Sequence, residues 1–390
     1  MKLLVEHLNK RLDWRSLPER VQWVIDQAIA IQQIAAPTFN EASRAAYVAH
    51  QFEHLGLSRI ETDELFNVYG LMEGKDRQRP AIMVSAHTDT VFHIDTDLTV
   101  QRDADLIYGP GLGDNSMGVA GMLGLIAALR ESPEAAESDL WFVANTREEG
   151  LGDLGGIKAA FTRLKDRVAF VINLEGMAFG HVYHAGIAVR RLRIKAKAEG
   201  GHSWLNFGRS SAIHGIVELG ASITRLHPPE NPRTTYNIGL IDGGQSINTI
   251  ASEASLWLDL RSEDSRALMM FENEVRYLIP PLVRSDLTFE IEVVGDRPAG
   301  QIPPDHPLVQ TALAALEQVG TQGTLENGST DANVPLSMGC PAVTVGITRG
   351  GNAHRLDEFI ETRPIADGMR QLILLTLTAC AMTNDWARSR

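Results

Sequence analysis

The chain has 390 residues and a formal net charge of −13, an acidic excess that repels a phosphate backbone and sets nucleic acid aside as a partner. Its 44% hydrophobic and 22% charged residues are those of a globular protein with a sizeable core, and the length suits two domains. Two cysteines far apart, Cys340 and Cys380, offer no disulfide framework and fit a reducing cytoplasm. The opening Met1-Lys2-Leu3-Leu4-Val5-Glu6-His7 turns charged too early for a signal peptide. No uncharged apolar run reaches the ~18 residues of a membrane span, so no membrane partner is expected.

In chain order, Val21, Val24, Ile25, Ala28 and Ile31 recur at helical spacing. Thr38 and Glu41 form a capping-box pattern that predicts a second helix ending near Leu55. Ala81-Ile82-Met83-Val84-Ser85-Ala86 is a short continuous apolar run, as in a strand covered on both faces. A helix over about 116–130 follows, with Val119, Met122, Ile126 and Leu129 on one face. Leu140–Ala144 and Ala169–Asn173 read as two more buried strands. The alternation predicts an α/β domain with a mostly parallel sheet and helices on both faces.

The pattern changes near Gly186. Alternating strands near 189–198, 236–241, 252–261 and 287–294, with helices over 211–226 and 266–279, follow the β-α-β-β-α-β order of a ferredoxin-like α+β unit. After Pro298 the first rhythm returns, with a helix near 308–319, the strand Ala342–Gly346 and a final helix near 365–382. The expected division is one α/β domain, 1–185 plus 298–390, interrupted by a smaller α+β domain, 186–297.

The ends of the buried strands carry chemistry. In open parallel sheets ligands bind beyond the strands' carboxyl ends. The first such strand ends in His87-Thr88-Asp89, the second leads to Glu148-Glu149, the third to Glu175, and the late strand to His354. Asp114 lies in the turn Gly113-Asp114-Asn115 at a helix start. Two imidazoles and three carboxylates suit two cations if one carboxylate bridges, and zinc takes these ligand types. Without cations the carboxylates would repel one another. His93, His181, His184 and His227 lie nearby in sequence, but nothing in their spacing requires a role.

Five ordered segments, Ser85–Val91, Tyr108–Asn115, Thr146–Gly150, Asn173–Gly176 and Asn352–His354, resemble the di-zinc peptidases and deacylases. That family includes glutamate carboxypeptidases, aminoacylases, succinyl-diaminopimelate desuccinylase and peptidase T. The resemblance covers nearly the whole chain. It implies a zinc-exopeptidase-like catalytic domain with an inserted lid and dimerisation domain. It implies that Asp114 bridges two zinc ions, that His87 and Glu175 complete one site, and that Glu149 and His354 complete the other. Asp89 is then expected to hydrogen-bond to His87, and Glu148 to be the general base. Family members carry Asp or Glu at the position of Glu175. Gly200-Gly201-His202-Ser203 resembles the lid histidine that reaches a partner's active site in dimeric members. Asn248, Arg261 and Arg297 fall in segments resembling those that hold substrate. Ser329–Asn333 resembles a loop beside the site.

The reaction implied is hydrolysis of a peptide or amide bond by a water activated between two divalent metal ions. The substrate expected is a small peptide cut at its C-terminal end, since Arg261 offers a fork suited to a free carboxylate. Alternatives are an N-acyl-amino-acid deacylase or other amidohydrolase, and a di- or tripeptide aminopeptidase. Rivals outside that chemistry are a non-catalytic protein on the same fold, which the intact Glu148 and five ligands oppose, and a metallophosphatase, which the resemblance opposes. A homodimer is the expected assembly.

Overall fold

The computed structural model describes residues 1–388 apart from 133 and 135, with side chains described through Thr383. The chain divides into two compact units, Met1–Gly186 with Gly300–Arg390, and Ile187–Ala299.

The larger unit is built on a sheet of nine strands among the described residues. Its centre is parallel: Ala81–His87 pairs with Leu140–Asn145 on one side and Val168–Leu174 on the other, and Ala342–Val345 pairs with Val168–Leu174. Every residue of these four strands is buried, which explains why they read as continuous apolar runs rather than alternating ones. The edges are antiparallel except for Thr324–Gly328, which runs parallel to His181–Gly186. Val68–Met72 and Ser58–Thr62 extend one side. On the other, His181–Gly186 meets Ala342–Val345 and is flanked by Gly300–Gln301 and Thr324–Gly328.

The helices Met117–Glu131 and Ile365–Arg388 are core elements. The apolar stretches 112–131 and 365–383 are long enough to cross a membrane, but 83% and 78% of their apolar windows are buried inside the protein. Val24, Met122, Ile126, Met369 and Leu372 sit in one continuous core with the sheet residues Val84, Phe142 and Ile172.

The expected capping box does not form. The helix Ala42–His54 starts after Glu41 with no side-chain cap. The Thr38 hydroxyl instead donates to Asp89 Oδ2 (2.8 Å), and Glu41 Oε1 accepts from the amides of Phe39 and Arg147. Both side chains serve long-range contacts that a local pattern does not reveal.

The smaller unit has a fully antiparallel sheet in the order Thr234–Gly243, Glu253–Ser262, Ala188–Ala198, Leu287–Arg297. The spatial order 2-3-1-4 in sequence numbering is that of a β-α-β-β-α-β unit. Leu192, Ile194 and Ala196 on the central strand are buried with Ile216 and Leu219 of the helix Ala212–Ile223 and with Phe271 and Val275 of the helix Ser265–Tyr277. Arg191, Arg193 and Lys195 alternate with them and stay only half-buried, the period-2 signature of a sheet with one packed face.

Candidate metal centre

At the carboxyl ends of the parallel strands, three overlapping trios of donor atoms come together; one is His87, Glu148 and Glu149, and the other two share Asp114. His87, Asp114 and Glu175 form the first of that pair; Asp114, Glu149 and His354 form the second. Asp114 belongs to both and divides its oxygens between them. Oδ1 lies 3.2 Å from His87 Nε2, and Oδ2 lies 3.1 Å from His354 Nε2. Glu175 Oε2 is 3.6 Å from His87 Nε2, and Glu149 Oε1 is 3.1 Å from His354 Nε2. Donors about 2.0–2.1 Å from a tetrahedral zinc lie roughly 3.3–3.4 Å from one another. The first trio's 3.2 and 3.6 Å bracket that value and the second trio's two spacings of 3.1 Å fall a little below it, so both lie near what a cation of zinc's size takes.

The local backbone explains how the donors converge. Gly176 lets the strand end approach the Asp114 turn, since a Cβ there would lie 2.2 Å from the Gly113 carbonyl oxygen. Asn115, buried beside Asp114, straps the two segments. Its Nδ2 donates to the Leu174 carbonyl, and its Oδ1 accepts from the Gly176 amide, both at 2.8 Å. The Asp114–Asn115 peptide bond is cis. His354 has φ +67°, a left-handed conformation rare outside glycine. It is also the exposed member of the cluster, at 53%, where His87 is buried.

Asp89 does more than the expected contact with His87, and that contact takes another form. Its carboxylate lies 3.6 Å from His87 Nδ1, beyond hydrogen-bond range, while its backbone carbonyl meets Nδ1 at 3.2 Å. Donation from Nδ1 to that carbonyl leaves Nε2 with its lone pair toward Asp114 and Glu175. The carboxylate itself accepts from the amides of Glu148 (2.9 Å) and Glu149 (3.0 Å) and from Thr38. Asp89 thus fixes the backbone that carries both glutamates. Burial works to raise its pKa, but His87 and those two amides outweigh it and hold the carboxyl below its usual range.

The electrostatics call for positive charge between the carboxylates. Hydrogen bonds to Asp114 and Glu149 push the His354 imidazole up to about 10. Burial resists charging His87, yet Glu175, Asp114 and Asp89 raise it well above the ordinary imidazole range. Burial also raises Glu175, which His87 opposes. Divalent cations bound by neutral imidazoles answer this demand with more charge than protons supply.

Two further buried groups, Arg44 and Glu358, carry no motif, and a third, Asp331, lies in the Ser329–Asn333 loop expected beside the site. Asp331 is buried, takes a 2.7 Å bond from Asn145 Nδ2, and is pushed up to about 7 by burial. That bond makes the Ser329–Asn333 loop part of the support under the cluster. Arg44 is buried with its guanidinium on the carbonyls of Ile34 and Thr88. Glu358 is buried behind the Asp114 turn, and burial pushes it up to about 7 against the amides that bond it. Only Asp331 lay in a segment with a motif to flag it.

The remaining sequence candidates belong to the smaller unit. His202 and Asn248 are brought side by side: His202 pairs in register with Thr249, and the Ser203 amide donates to the Asn248 carbonyl at 3.0 Å. His202 Nδ1 accepts from the Trp204 amide. Arg261 Nε donates to Asp259 Oδ2 (2.7 Å), while Arg191 donates to Oδ1 of the same carboxylate. Arg297 is buried at the end of its strand, opposite Val189, and not on a solvated face.

The family model for peptidase family M20/M25/M40 matches residues 83–377. The chain belongs to that family. It is a metal-dependent hydrolase of peptide or amide bonds. Among curated relatives, an N-formyl-4-amino-5-aminomethyl-2-methylpyrimidine deformylase of Bacillus subtilis (strain 168) is 22% identical over 402 residues, covering 92% of this chain and 94% of that one. An acetylornithine deacetylase of Pectobacterium carotovorum is 25% identical over 318 residues, covering 76% and 80%. Among solved structures, a tripeptidase from Staphylococcus aureus superposes with a TM-score of 0.77 at 20% identity, covering 93% and 99%, a likeness of fold.

Because Asp114 offers one oxygen to each trio, Asp114→Ala is expected to abolish tight cation binding at both, while His354→Ala should spare one. Elemental analysis after zinc loading and dialysis should give about two equivalents for the wild type, about one for His354→Ala and fewer than one for Asp114→Ala. One tightly held ion, unchanged in Asp114→Ala, would refute the shared position.

Proposed function

We propose that this hydrolase is an exopeptidase of the carboxypeptidase kind, acting on small peptides with two divalent cations, most suitably zinc, held by the two trios. The observation that carries the reading is the division of Asp114 between His87 and His354. Cations so placed would lower the pKa of a shared water toward neutrality and polarise the scissile carbonyl.

Glu148 is the general base in this reading. Its carboxylate lies within 4.8 Å of the donor atoms of His87 and Glu149, and Asp89 holds its amide. It takes the proton of the attacking water and delivers it to the leaving amine. Glu148→Gln is therefore expected to retain both cations while kcat falls by ~10²–10⁴-fold. Near-normal turnover in the metal-replete variant would remove Glu148 from the mechanism.

Arg261 is assigned to the substrate's free carboxylate. Arg261 shares the Asp259 carboxylate with Arg191, and its side chain is 43% exposed, within reach of a ligand from solvent. Arg297 and Asn248 are assigned to substrate binding as well. A second reading, deacylation of an N-acyl amino acid, draws support from the deformylase and deacetylase relatives. A zinc-loaded sample tested on dipeptides, tripeptides and N-acyl amino acids, each with a free or amidated C-terminus, separates these. The carboxypeptidase reading expects amidation to lower kcat/KM by at least tenfold and Arg261→Ala to erase that difference. Equal cleavage of amidated peptides, with loss of cleavage when the N-terminus is blocked, would make the enzyme an aminopeptidase.

The smaller unit is assigned to lid closure and dimerisation, in a cytoplasmic homodimer. Its support is an outer strand, Thr234–Gly243, with Leu240 and Ile241 exposed, and a loop after His202 with Trp204 84% and Phe207 92% exposed. Apolar edges of this kind are normally covered. His202 would stabilise the oxyanion in the partner subunit's active site. Mixing inactive His202→Ala with inactive Glu148→Ala chains should then restore activity on subunit exchange, since one site per mixed dimer has both residues. Exchange without recovered activity, or an active monomer, would sink the shared site.

A further inference from the structure

The Asp114 turn is gripped from behind by a residue that no motif marks. Glu358 Oε1 accepts from the amides of Gly113 (2.7 Å) and Asp114 (3.0 Å), and Oε2 accepts from the amide of Gly111 (3.3 Å). The Glu358 carbonyl accepts from the Gly109 amide at 2.9 Å. One buried residue thus takes four amides from a six-residue stretch, 244 to 249 positions away in sequence. Three N–H groups pointing at one place make a small positive nest, and a carboxylate fills it with charge-assisted bonds about twice as strong as neutral ones.

The position of Glu358 gives this grip its meaning. It stands four residues after His354, and the strand Phe359–Glu361 that follows pairs antiparallel with Leu106–Tyr108, just before the Asp114 turn. The two loops that carry Asp114 and His354 therefore diverge from one short strand pair, and Glu358 is where they are joined. Asn352 and His354 both hold left-handed backbone angles, φ +59° and +67°. Such a loop keeps its shape only when its surroundings impose it.

We infer that Glu358 is a positioning residue, whose carboxylate on the amides of Gly111, Gly113 and Asp114 sets the separation of Asp114 from His354 and hence the affinity of the second cation site. This rests on the two-cation reading of the cluster. Glutamine has the right size but the wrong chemistry. It keeps an oxygen for at most two of the three amides and turns an N–H toward the third.

The test compares wild type, Glu358→Gln and Glu358→Ala as full-length apoproteins titrated with Zn²⁺ against a chromogenic chelator, and with Co²⁺ followed by its visible absorption. The expected result is a ~10–100-fold weaker second equivalent in Glu358→Gln, as for partners that orient metal ligands, with an altered Co²⁺ spectrum and an unchanged far-ultraviolet circular dichroism spectrum. The first equivalent should hold within about threefold, since Asn115 still ties the Asp114 turn to the residues on either side of Glu175. Equal affinity of both equivalents in a folded Glu358→Gln would overturn the inference. So would free-rate hydrogen exchange at the Gly113 and Asp114 amides of the wild-type apoprotein, a measurement that needs no variant to fold. If the wild type itself takes up fewer than two cations, the two-site reading fails instead, and the two failures are told apart.

Discussion

Asp114 has to put one oxygen beside His87 and the other beside His354, and much of the larger unit answers that demand. A carboxylate on a flexible turn would rotate away from two other carboxylates, because like charges at short range repel. Here the turn is held on two sides. Asn115 ties it to the end of Val168–Leu174, which delivers Glu175. Glu358 ties it to the segment that delivers His354. The position of Asp114 between the two imidazoles is thus defined by hydrogen bonds to the backbone rather than by contacts of its side chain alone.

The same logic recurs at the Glu148-Glu149 segment. Asp89 accepts both of its amides, Thr38 bonds Asp89, and Glu41 accepts the Arg147 amide just before it. Asp114, Glu149 and Glu175 each stand on a strand end or turn where an amide ends on a buried side chain, Glu358, Asp89 and Asn115 respectively. Those side chains are nearly as acidic in kind as the cluster they support. The neighbourhood therefore collects far more negative charge than a protein interior ordinarily tolerates. Burial pushes Glu358 and Asp331 up to about 7 each, and nearby carboxylates add to that push. Cations at the two trios would relieve it.

The fold was largely legible because parallel strands buried on both faces write themselves as apolar runs. Ala81–His87, Leu140–Asn145 and Val168–Leu174 were found that way, and their last residues are where chemistry collects in such sheets. The five donors share one edge for that reason. What escaped the sequence has a common cause as well. Ser58–Thr62, Val68–Met72 and the strands of the small sheet with Phe359–Glu361 are short, and Val68–Met72 and Phe359–Glu361 pair with strands far away in sequence. Glu358 lies after an Asp in an exposed-looking stretch, and nothing local tells a buried clamp from a surface acid. Thr38 and Glu41 misled because their spacing fits a helix cap, while their partners, Asp89 and Arg147, lie 51 and 106 residues away.

The way the smaller unit is inserted follows from the same sheet. The larger unit is interrupted between Gly186 and Gly300, yet these two residues are antiparallel partners, as are Ala185 and Gln301. The chain leaves and re-enters at adjacent, hydrogen-bonded positions. The larger unit therefore sees the 113 residues Ile187–Ala299 as a loop whose ends are already together. Closure entropy grows only with the logarithm of loop length, and a loop that folds on its own core adds its own stability. All five donors and Glu148 lie outside the insertion, as do Asn115, Asp89 and Glu358 that hold them. Cation binding is thus a property of the larger unit's own backbone. The insertion carries none of these groups, and beside His202 it exposes the apolar side chains of Trp204, Leu205 and Phe207.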